Sequence, residues 1–551
     1  MSETRTASHG LAVLVSSHEA IARTRGLPAL LFATLLGAFA SLGFAPFHIT
    51  PLLVVAGVGL VWMLDGARSN KKWGWAMFAR GWAFAFGFFL IGMYWTAMPF
   101  LVEPEKHAMF LWMPLLALPG GMALIWGTAC ALAGSFWSSS PSRVFIFAVF
   151  MGLAELVRGS LFGGFPWNLP GTTWAPGGAL SQIASVGGVY WLTLVTFLIM
   201  ASPAALVDTR STHSMMMRAV PAILSVALIG FGWAWGAQRL TAETEFSGAT
   251  ALLMDAGVPQ AEKFERQGEP VLVRYIELLR DTPTGPEDIV IWPEGALPYG
   301  LLTDTRALDL VAEFLGSRHL IAGSLRLAQT PDNQTIAYNS LAVVRTGAAT
   351  ADLVALYDKY RLVPFGELSA TAIVPFGQAV SGFLPSGMQR MARSGFQPGT
   401  EPTVVLPQTE LPPFIPLICY EGLFPEIVRK ASPQRAAAEW IVVISNDAWF
   451  QAPFGLGPAQ HYAQHRYRAI ESGLPMARVA TLGMTAMVDG HGREVARGNP
   501  AAGDPEGWRS SIVRVEVPTR LNMTLYQRFG ETFFWITLVL LAGLAFLTWR
   551  R

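Results

Sequence analysis

Three side chains in the C-terminal half of this chain have the types needed for acyl transfer through a covalent intermediate. Cys419 offers a nucleophilic sulfur, Glu294 offers a base, and Lys359 offers a fixed cation. Each follows a short apolar run, and strand ends are where α/β folds gather functional side chains. Each also has a plain structural interpretation, as a buried thiol, an exposed acid or a solvated lysine.

The elements that must position these residues are predicted from short β-branched runs that alternate with helical stretches between residues 242 and 518. This pattern indicates an α/β or layered fold, and about 275 residues are ample for one large core. We expect strands at 249–254, 288–292, 319–323, 340–344, 353–357, 414–419, 440–445, 478–480, 486–488 and 511–515. We expect helices at 259–281, 305–317, 425–431 and 460–472.

The whole chain is too apolar for a soluble protein of its length. Of 551 residues, 52% are hydrophobic and 14% are charged, against about 25% charged in an ordinary soluble domain. The net charge of +1 and the lack of a Lys/Arg cluster argue against nucleic acid as a partner. The two cysteines, Cys130 and Cys419, are too few and too far apart in sequence to form a disulfide framework.

The apolar excess lies in eight stretches long enough to cross a hydrocarbon core of roughly 30 Å. Seven lie in the first 240 residues and one lies at 532–548, so a polytopic helical membrane region is expected beside the α/β domain. The seven occupy 27–45, 51–65, 77–99, 109–136, 143–158, 182–206 and 219–237. The fifth is short and carries Glu155 and Arg158 at its end, so it is the least secure of the spans.

Orientation in the membrane follows from the basic residues of the short loops, because Lys and Arg are retained on the cytoplasmic side. With both termini inside, the inner segments hold eleven basic residues and the short outer loops hold Lys106 and Arg158. This predicts a cytoplasmic tail at 1–26, seven helices within 27–241, a periplasmic domain at 242–518, and a connector with a returning helix at 519–551. The expected location is the bacterial inner membrane.

Four sequence motifs resemble the nitrilase, or carbon-nitrogen hydrolase, superfamily. The order Glu294, Lys359, Cys419 matches its Glu-Lys-Cys triad, with spacings of 65 and 60 residues. Joined to a membrane-embedded N-terminal region, these motifs resemble the apolipoprotein N-acyltransferase family over essentially the whole chain. They are Trp292-Pro-Glu294, the run from Tyr357 to Glu367, Ile418-Cys-Tyr-Glu421 and Asn446-Asp-Ala-Trp-Phe450.

The resemblance implies a four-layer αββα sandwich and a role for each matching residue. Cys419 would be the nucleophile, Glu294 the general base and Lys359 the oxyanion stabiliser. The resemblance also implies a second active-site carboxylate and two residues that shape the pocket, which are Glu367, Tyr420 and Glu421. One departure is Asp255-Ala-Gly-Val258, where members of the superfamily often carry Gln-Gly-Asn.

The implied reaction takes an acyl chain from a membrane phospholipid, holds it as a thioester, and places it on the free α-amine of an apolipoprotein's diacylglyceryl-cysteine. The expected partners are this phospholipid donor, the apolipoprotein acceptor and the membrane, and we expect a monomer. No cofactor or metal is expected, since His461 and His465 lack the glutamate of a zincin helix.

Two alternatives stay open at this stage. A membrane-tethered amidase or nitrilase-type hydrolase would use the same triad with water as the acceptor. A transporter or receptor would use the outer domain only to bind ligand, although no paired intramembrane charges suggest a transport path.

Apolar stretches flank the triad motifs at 370–388, 423–424 and 450–456. They predict either loops that dip into the outer leaflet and exclude water or ordinary core packing. The aromatic loop at 159–181 likewise suits the outer membrane boundary, as an anchor or as a substrate contact.

Overall fold

A computed structural model describes most of the chain, which forms two compact units. One, the helical unit, comprises Met1–Thr241 and Arg528–Arg551, and the other, the α/β unit, comprises Ala242–Gln527. The described residues are 2–207, 213–260, 262–263, 268–283, 285, 288–302, 304–346, 351–364, 366–367, 395–406, 411–431, 437–499 and 507–549.

The helical unit consists mainly of long apolar helices. Within the described residues, seven helical segments are long and apolar enough to cross a membrane, and a shorter apolar helix covers Thr532–Thr548. These eight segments confirm the polytopic helical region. The helices are α1 Ser2–Arg23, α2 Gly26–Ala40, α3 Pro51–Arg68, α4 Trp73–Met93, α5 Pro104–His107, α6 Leu118–Gly134, α7 Ser142–Ser160, α8 Ala184–Ala201, α9 Met215–Arg239 and, at the C-terminus, α15 Thr532–Trp549.

The predicted fifth span is a complete helix, and the two charges near its C-terminal end, Glu155 and Arg158, are buried and paired. In α7 the Arg158 Nε donates to Glu155 Oε1 at 2.9 Å, and Trp126 Nε1 donates to the same oxygen at 2.6 Å. The Arg158 Nη1 also donates to the carbonyl oxygens of Phe165 and Trp167, at 2.6 and 2.8 Å. The arginine therefore satisfies backbone acceptors of the following loop, which could not otherwise remain in an apolar setting.

The loop after α7 differs in one respect from a simple boundary anchor. Phe162 is 56% exposed, as an anchor requires, but Trp167 is only 3% exposed. Trp167 packs against Trp95 with ring centroids 4.6 Å apart. Part of this aromatic loop is therefore core of the helical unit.

The α/β unit contains two sheets in its described residues. A six-stranded sheet has the order β11-β1-β2-β3-β4-β5, and a five-stranded sheet has the order β10-β9-β8-β7-β6. The strands are β1 Phe246–Asp255, β2 Ile289–Ile291, β3 His319–Gln329, β4 Thr335–Thr346, β5 Ala351–Asp358, β6 Phe414–Ile418, β7 Trp440–Asn446, β8 Met476–Thr481, β9 Ala486–Val488, β10 Glu494–Arg497 and β11 Ser511–Pro518. The helices are α10 Glu269–Asp281, α11 Thr305–Leu315, α12 Pro425–Lys430, α13 Leu456–Ser472 and α14 Leu525–Phe529.

The two sheets pack face to face, with helices outside them. One buried cluster joins Ile291 and Ile321 of the first sheet to Ile418 and Val442 of the second. A second cluster places α10 and α11 on the other face of the first sheet, since it includes buried residues of both helices and of β1 to β3.

Strand β8 shows which helix packs on the outer face of the second sheet. Its residues Ala477 and Val479 belong to the cluster between the sheets, so Arg478 between them points to the opposite face. There Arg478 hydrogen-bonds His465 of α13. The layers are therefore helix, sheet, sheet, helix, and the expected αββα sandwich is confirmed.

All ten predicted strands are present, and most of them are longer than predicted. Two predicted helices begin at other residues than expected, and in both cases a glycine precedes the observed start. The helix predicted at 259–281 begins at Glu269, because Gly268 before it has φ +75°. Residues 256–259 are not helical, and 261 and 264–267 lie outside the described residues. The last predicted helix begins earlier than expected, at Leu456, directly after Gly455 with φ +61°.

Candidate active site

The three predicted reactive side chains follow the ends of three strands. Glu294 comes shortly after β2, Lys359 comes directly after β5, and Cys419 comes directly after β6. All three are buried, at 8%, 1% and 6% exposed respectively. Because β2 and β5 belong to one sheet and β6 to the other, the site forms where the two packed sheets present their strand ends.

Lys359 lies between two carboxylates. Its Nζ donates to Glu294 Oε1 at 3.1 Å and to Glu367 Oε1 at 2.9 Å. Glu367 is held in turn by the backbone N–H of Val363, which donates to Oε2 at 2.9 Å. The ammonium group is thus fixed in direction as well as in charge.

An asparagine that the sequence did not single out joins the same two carboxylates. Asn339 Nδ2 donates to Glu294 Oε1 at 2.7 Å and to Glu367 Oε1 at 2.8 Å. Asn339 lies on β4, and its carbonyl oxygen accepts the backbone N–H of Lys359 at 2.8 Å. It therefore supports the lysine through the backbone and the carboxylates through its side chain.

The second oxygen of Glu294 faces the other sheet. The backbone N–H of Asn446, at the end of β7, donates to Glu294 Oε2 at 3.0 Å. The Asn446 side chain donates to Gln260 Oε1 at 2.9 Å. The motif that contains Asn446 thus contributes to the site through the backbone.

Cys419 is held in an unusual backbone conformation. Its φ is +53°, in the left-handed region that residues with a Cβ rarely adopt. Such strain persists only where surrounding contacts fix it, and it concentrates at functional sites. The thiol interacts with the side chains of Glu294 and Ser445.

Glu421 joins the turn after β6 to the segment that carries the lysine. Its Oε1 accepts hydrogen bonds from Tyr357 Oη at 2.8 Å and from the backbone N–H groups of Tyr360 and Arg361 at 2.8 and 3.1 Å. Its Oε2 accepts from the N–H of Ile418 at 2.8 Å. The contacts of this fully buried carboxylate hold Cys419 and Lys359 in register.

Tyr420, the remaining residue of the predicted set, is also buried. It is 2% exposed and packs edge-to-face on Phe424, with ring centroids 5.1 Å apart. The three supporting residues of the predicted set therefore have three different settings. Glu367 accepts a hydrogen bond from Lys359, Glu421 joins two segments, and Tyr420 packs on Phe424.

The charges of the site set the protonation states. Burial raises the pKa of Glu294, but the Lys359 charge and hydrogen bonds from Asn339, Lys359 and Cys419 outweigh it, and the net pKa is below its usual value. Burial lowers the pKa of Lys359, but the charges of Glu294 and Glu367 reverse this and raise it. Burial and the Glu294 charge raise the pKa of Cys419. The resting site thus holds a carboxylate, an ammonium and a neutral thiol.

The apolar stretches near the triad have different settings. Leu423 and Phe424 are 3% and 0% exposed, so for these two residues core packing, and not lipid contact, is the alternative that the structure supports. In the stretch 450–456, Phe454 is 82% exposed. The stretch 370–388 lies outside the described residues.

The two histidines considered for metal binding are engaged elsewhere. His461 Nδ1 hydrogen-bonds Asp447 Oδ1 at 2.9 Å, and His465 Nδ1 accepts from Arg478 Nε at 3.0 Å. Over the part of the chain that the structure describes, no three His, Cys, Asp or Glu side chains group as metal ligands.

Comparison with known proteins identifies the family. Residues 36–205 match the apolipoprotein N-acyltransferase N-terminal domain, and residues 256–507 match the carbon-nitrogen hydrolase domain. The apolipoprotein N-acyltransferase of Rhodopseudomonas palustris is 33% identical over 91% of this chain and 91% of its own length. That of Caulobacter vibrioides is 35% identical over 93% of each. The chain belongs to the apolipoprotein N-acyltransferase family.

Solved structures of the wider superfamily are also similar to this chain. Saccharomyces cerevisiae Nit3, a member of branch 10 of the nitrilase superfamily, has a TM-score of 0.33 and 16% identity over 48% of this chain and 89% of its own. A likeness of this size adds no argument to the family assignment. The N-terminal domain match, 36–205, falls within the helical unit, and the carbon-nitrogen hydrolase match, 256–507, falls within the α/β unit.

Proposed function

We propose that the protein is an enzyme that transfers an acyl chain from a membrane phospholipid to the free α-amine of the diacylglyceryl-cysteine of an apolipoprotein. The proposal rests on the family and on one observation of the site. The Glu294 carboxylate accepts a hydrogen bond from the Lys359 ammonium at 3.1 Å and also interacts with the Cys419 thiol. A nucleophile, its base and a fixed cation therefore share one buried cluster.

In the first half-reaction the thiol attacks the ester carbonyl of the phospholipid. Because the pKa of Cys419 is raised and that of Glu294 is lowered, the proton passes to Glu294 as the sulfur–carbon bond forms, not before. Lys359 stabilises the negative oxygen of the tetrahedral intermediate. The carbon–oxygen bond then breaks, Glu294 returns its proton to the departing oxygen, and a thioester and a lysophospholipid result.

In the second half-reaction the acceptor amine attacks the thioester. Glu294 takes a proton from the amine as the carbon–nitrogen bond forms, and Lys359 again stabilises the oxyanion. The carbon–sulfur bond breaks and the sulfur recovers a proton from Glu294. The products are an amide and the free thiol, so the scheme is ping-pong.

Glu367 and Asn339 would act by holding the catalytic lysine and glutamate in place. Two carboxylates around one ammonium leave the cluster with a net negative charge, and the Asn339 N–H groups offset part of it. Glu421 would keep the two halves of the site in register through its four hydrogen bonds.

Intact-mass spectrometry tests the acyl-enzyme directly. Purified protein given phospholipid without acceptor should gain one acyl mass, and a diacylglyceryl peptide should discharge it. Cys419→Ala should gain nothing, whereas the matched Cys130→Ala, which removes the buried cysteine of the helical unit, should behave as wild type. No adduct under active conditions, or loss of the adduct to water as fast as to peptide, would contradict acyl transfer.

For location, we propose the bacterial inner membrane, with both termini in the cytoplasm and the α/β unit in the periplasm. The support is the excess of basic residues in the predicted inner segments. Labelling with a membrane-impermeant maleimide tests it. In a Cys130→Ala/Cys419→Ala background, which removes both native thiols, Lys106→Cys should react in intact spheroplasts, and Lys71→Cys should react only after permeabilisation. The reverse pattern would overturn the orientation.

A further inference from the structure

A second lysine is buried beside the candidate active site, and the mechanism above does not use it. Lys263 is 2% exposed, and a lysine is almost never fully buried unless its charge is paired or hydrogen-bonded. Its Nζ donates to the backbone carbonyl oxygen of Gly295 at 2.8 Å and to Thr481 Oγ1 at 3.4 Å. Gly295 directly follows the proposed base, Glu294. The ammonium group therefore contacts the backbone that carries this carboxylate.

The two acceptors of Lys263 come from different sheets. Gly295 lies after β2 of the first sheet, and Thr481 is the last residue of β8 in the second. Thr481 pairs with Asn446 at the end of β7, and the backbone N–H of Asn446 donates to Glu294 Oε2 at 3.0 Å. Two neighbouring strand ends of the second sheet thus contact the base, one at its carboxylate and one at its backbone through Lys263.

Two further contacts restrict the same part of the site. Gln260, three positions before Lys263, is 6% exposed, and its Oε1 accepts a hydrogen bond from the Asn446 side chain at 2.9 Å. The backbone of Glu294 lies directly against β3, where a Cβ on Gly323 would come within 2.7 Å of Glu294 Cα. Strand β3 thus limits movement of this backbone towards the first sheet, and Lys263 ties the same backbone to the second.

Lys263 also places a positive charge near a cluster that carries a net negative one. That cluster is formed by Glu294, Glu367 and Lys359. Burial lowers the pKa of Lys263 to about 8, and the charges of Asp255 and Glu294 oppose the fall. The group is therefore mostly protonated at neutral pH, and a charged donor makes a stronger hydrogen bond to a carbonyl oxygen than a neutral amine does.

We propose that Lys263 is a positioning residue that holds the Gly295 carbonyl and so keeps the Glu294 carboxylate aimed at the proton that it must take. This inference rests on the proposed role of Glu294 as the general base. In this role Lys263 acts through Glu294 and exchanges no proton with the substrate. A shift of about 1 Å in a catalytic group can lower a rate about a hundredfold, so loss of this contact should slow the chemical step without weakening substrate binding.

A plain counter-ion role for Lys263 makes a different prediction. In that role its charge would only offset the buried carboxylate of Asp255, whose charge acts on it. Lys263→Met keeps most of the side-chain length and removes both the charge and the donor. Asp255→Asn/Lys263→Met removes the Asp255 charge as well, so a counter-ion role predicts that this double variant recovers both stability and rate. A positioning role predicts that it recovers stability only, because the Gly295 carbonyl still lacks its donor.

The experiment measures single-turnover acylation of Cys419 at increasing phospholipid concentration in the full-length protein, together with its thermal midpoint. Lys263→Met and the double variant should both lose about tenfold to a hundredfold in the maximal rate, with an unchanged half-saturating concentration. The midpoint should fall in Lys263→Met and recover in part in the double variant. Lys430→Met is the matched control, since it removes an exposed lysine of the same unit, and it should match wild type in each measurement.

A second measurement keeps this inference separate from the proposed function. In a Cys130→Ala background, alkylation of Cys419 by iodoacetamide needs no acyl chemistry but still needs a base for the thiol proton. Alkylation should slow about tenfold in Lys263→Met and in the double variant, and it should not change in Lys430→Met. Wild-type protein that forms no acyl adduct would contradict acyl transfer, and the alkylation rates would still decide the role of Lys263.

Three results would rule out the positioning role. They are unchanged rates in Lys263→Met, recovery of the rates in the double variant, and rates that only follow the thermal midpoint. If Lys263→Met does not fold, the double variant carries the same test, because it no longer buries the Asp255 charge.

Discussion

Asn339 should set the pH at which the base becomes competent. Its Nδ2 donates to Glu294 Oε1 at 2.7 Å, and a hydrogen bond to a charged group contributes about 1.5–3 kcal/mol. One pKa unit corresponds to about 1.4 kcal/mol. Asn339→Leu, which has a similar size and no donor, should therefore raise the pKa of Glu294 by about one to two units.

The sign of the effect follows from the role of the carboxylate. Glu294 must be ionised to take the thiol proton, so the acylation rate rises with pH through the pKa of Glu294. Loss of the Asn339 donor disfavours the ionised form. The acidic limb of the rate profile should move upward by about one to two pH units, and the rate on the plateau should fall less than the rate on the limb.

Rapid-quench measurement of thioester formation from phospholipid, without acceptor, isolates this step. Tyr338→Leu is the matched control, because Tyr338 is the neighbouring residue on β4 and faces the other side of the strand, where Arg326 lies over its ring. It should leave the limb in place. An unmoved limb in Asn339→Leu, or an equal shift in Tyr338→Leu, would refute the reasoning.

Three further perturbations test other parts of the molecule. Phe454→Asp should reduce phospholipid turnover more than hydrolysis of a short soluble ester, because this side chain is 82% exposed; equal losses would exclude a lipid contact. Asp255 is buried, which raises its pKa to about 6, so its contribution to stability is full below about pH 4 and is lost as pH rises through about 6. Asp255→Asn should flatten this slope in denaturant unfolding between pH 4 and 6, and an unchanged slope would assign the pH dependence to other groups. Arg158→Met should destabilise the helical unit by about 3–5 kcal/mol, because it leaves the buried Glu155 unpaired. Unfolding in detergent should show the double variant Glu155→Leu/Arg158→Leu recovering part of the loss, and no recovery would count against the pairing.

Much of the fold could be predicted because its strands are short, apolar and buried. The strand that was missed, Glu494–Arg497, has no buried residue in its pattern, so its sequence carries no alternation of apolar and polar positions. The helix starts that were misplaced depend on Gly268 and Gly455, whose left-handed conformations are decided by the fold around them.

The residues of the candidate site also differ in whether the local sequence could predict them. Glu294, Lys359 and Cys419 each belong to a local motif at a strand end, so the sequence alone could propose them. Asn339 lies within β4, and its register opposite Leu325 is what brings its side chain to the carboxylates. Strand pairing is a non-local property, and no local signal marks such a residue.

The position of His465 was visible in the sequence, but its contacts were not. A histidine pair four residues apart on a helix suggests metal binding, and the missing glutamate argued against it. Only the packing of α13 on β8 shows that the Nδ1 atom of His465 accepts a hydrogen bond from Arg478.

The pairing of Glu155 with Arg158 also bears on how the chain enters the bilayer during synthesis. An isolated charge at the centre of a helix costs about 2.5–3.5 kcal/mol to insert. These two residues lie three positions apart on one helix, so they can neutralise each other as soon as that helix forms. These two side chains can therefore enter the bilayer as a neutral pair, before the carbonyl oxygens of the following loop have been synthesised.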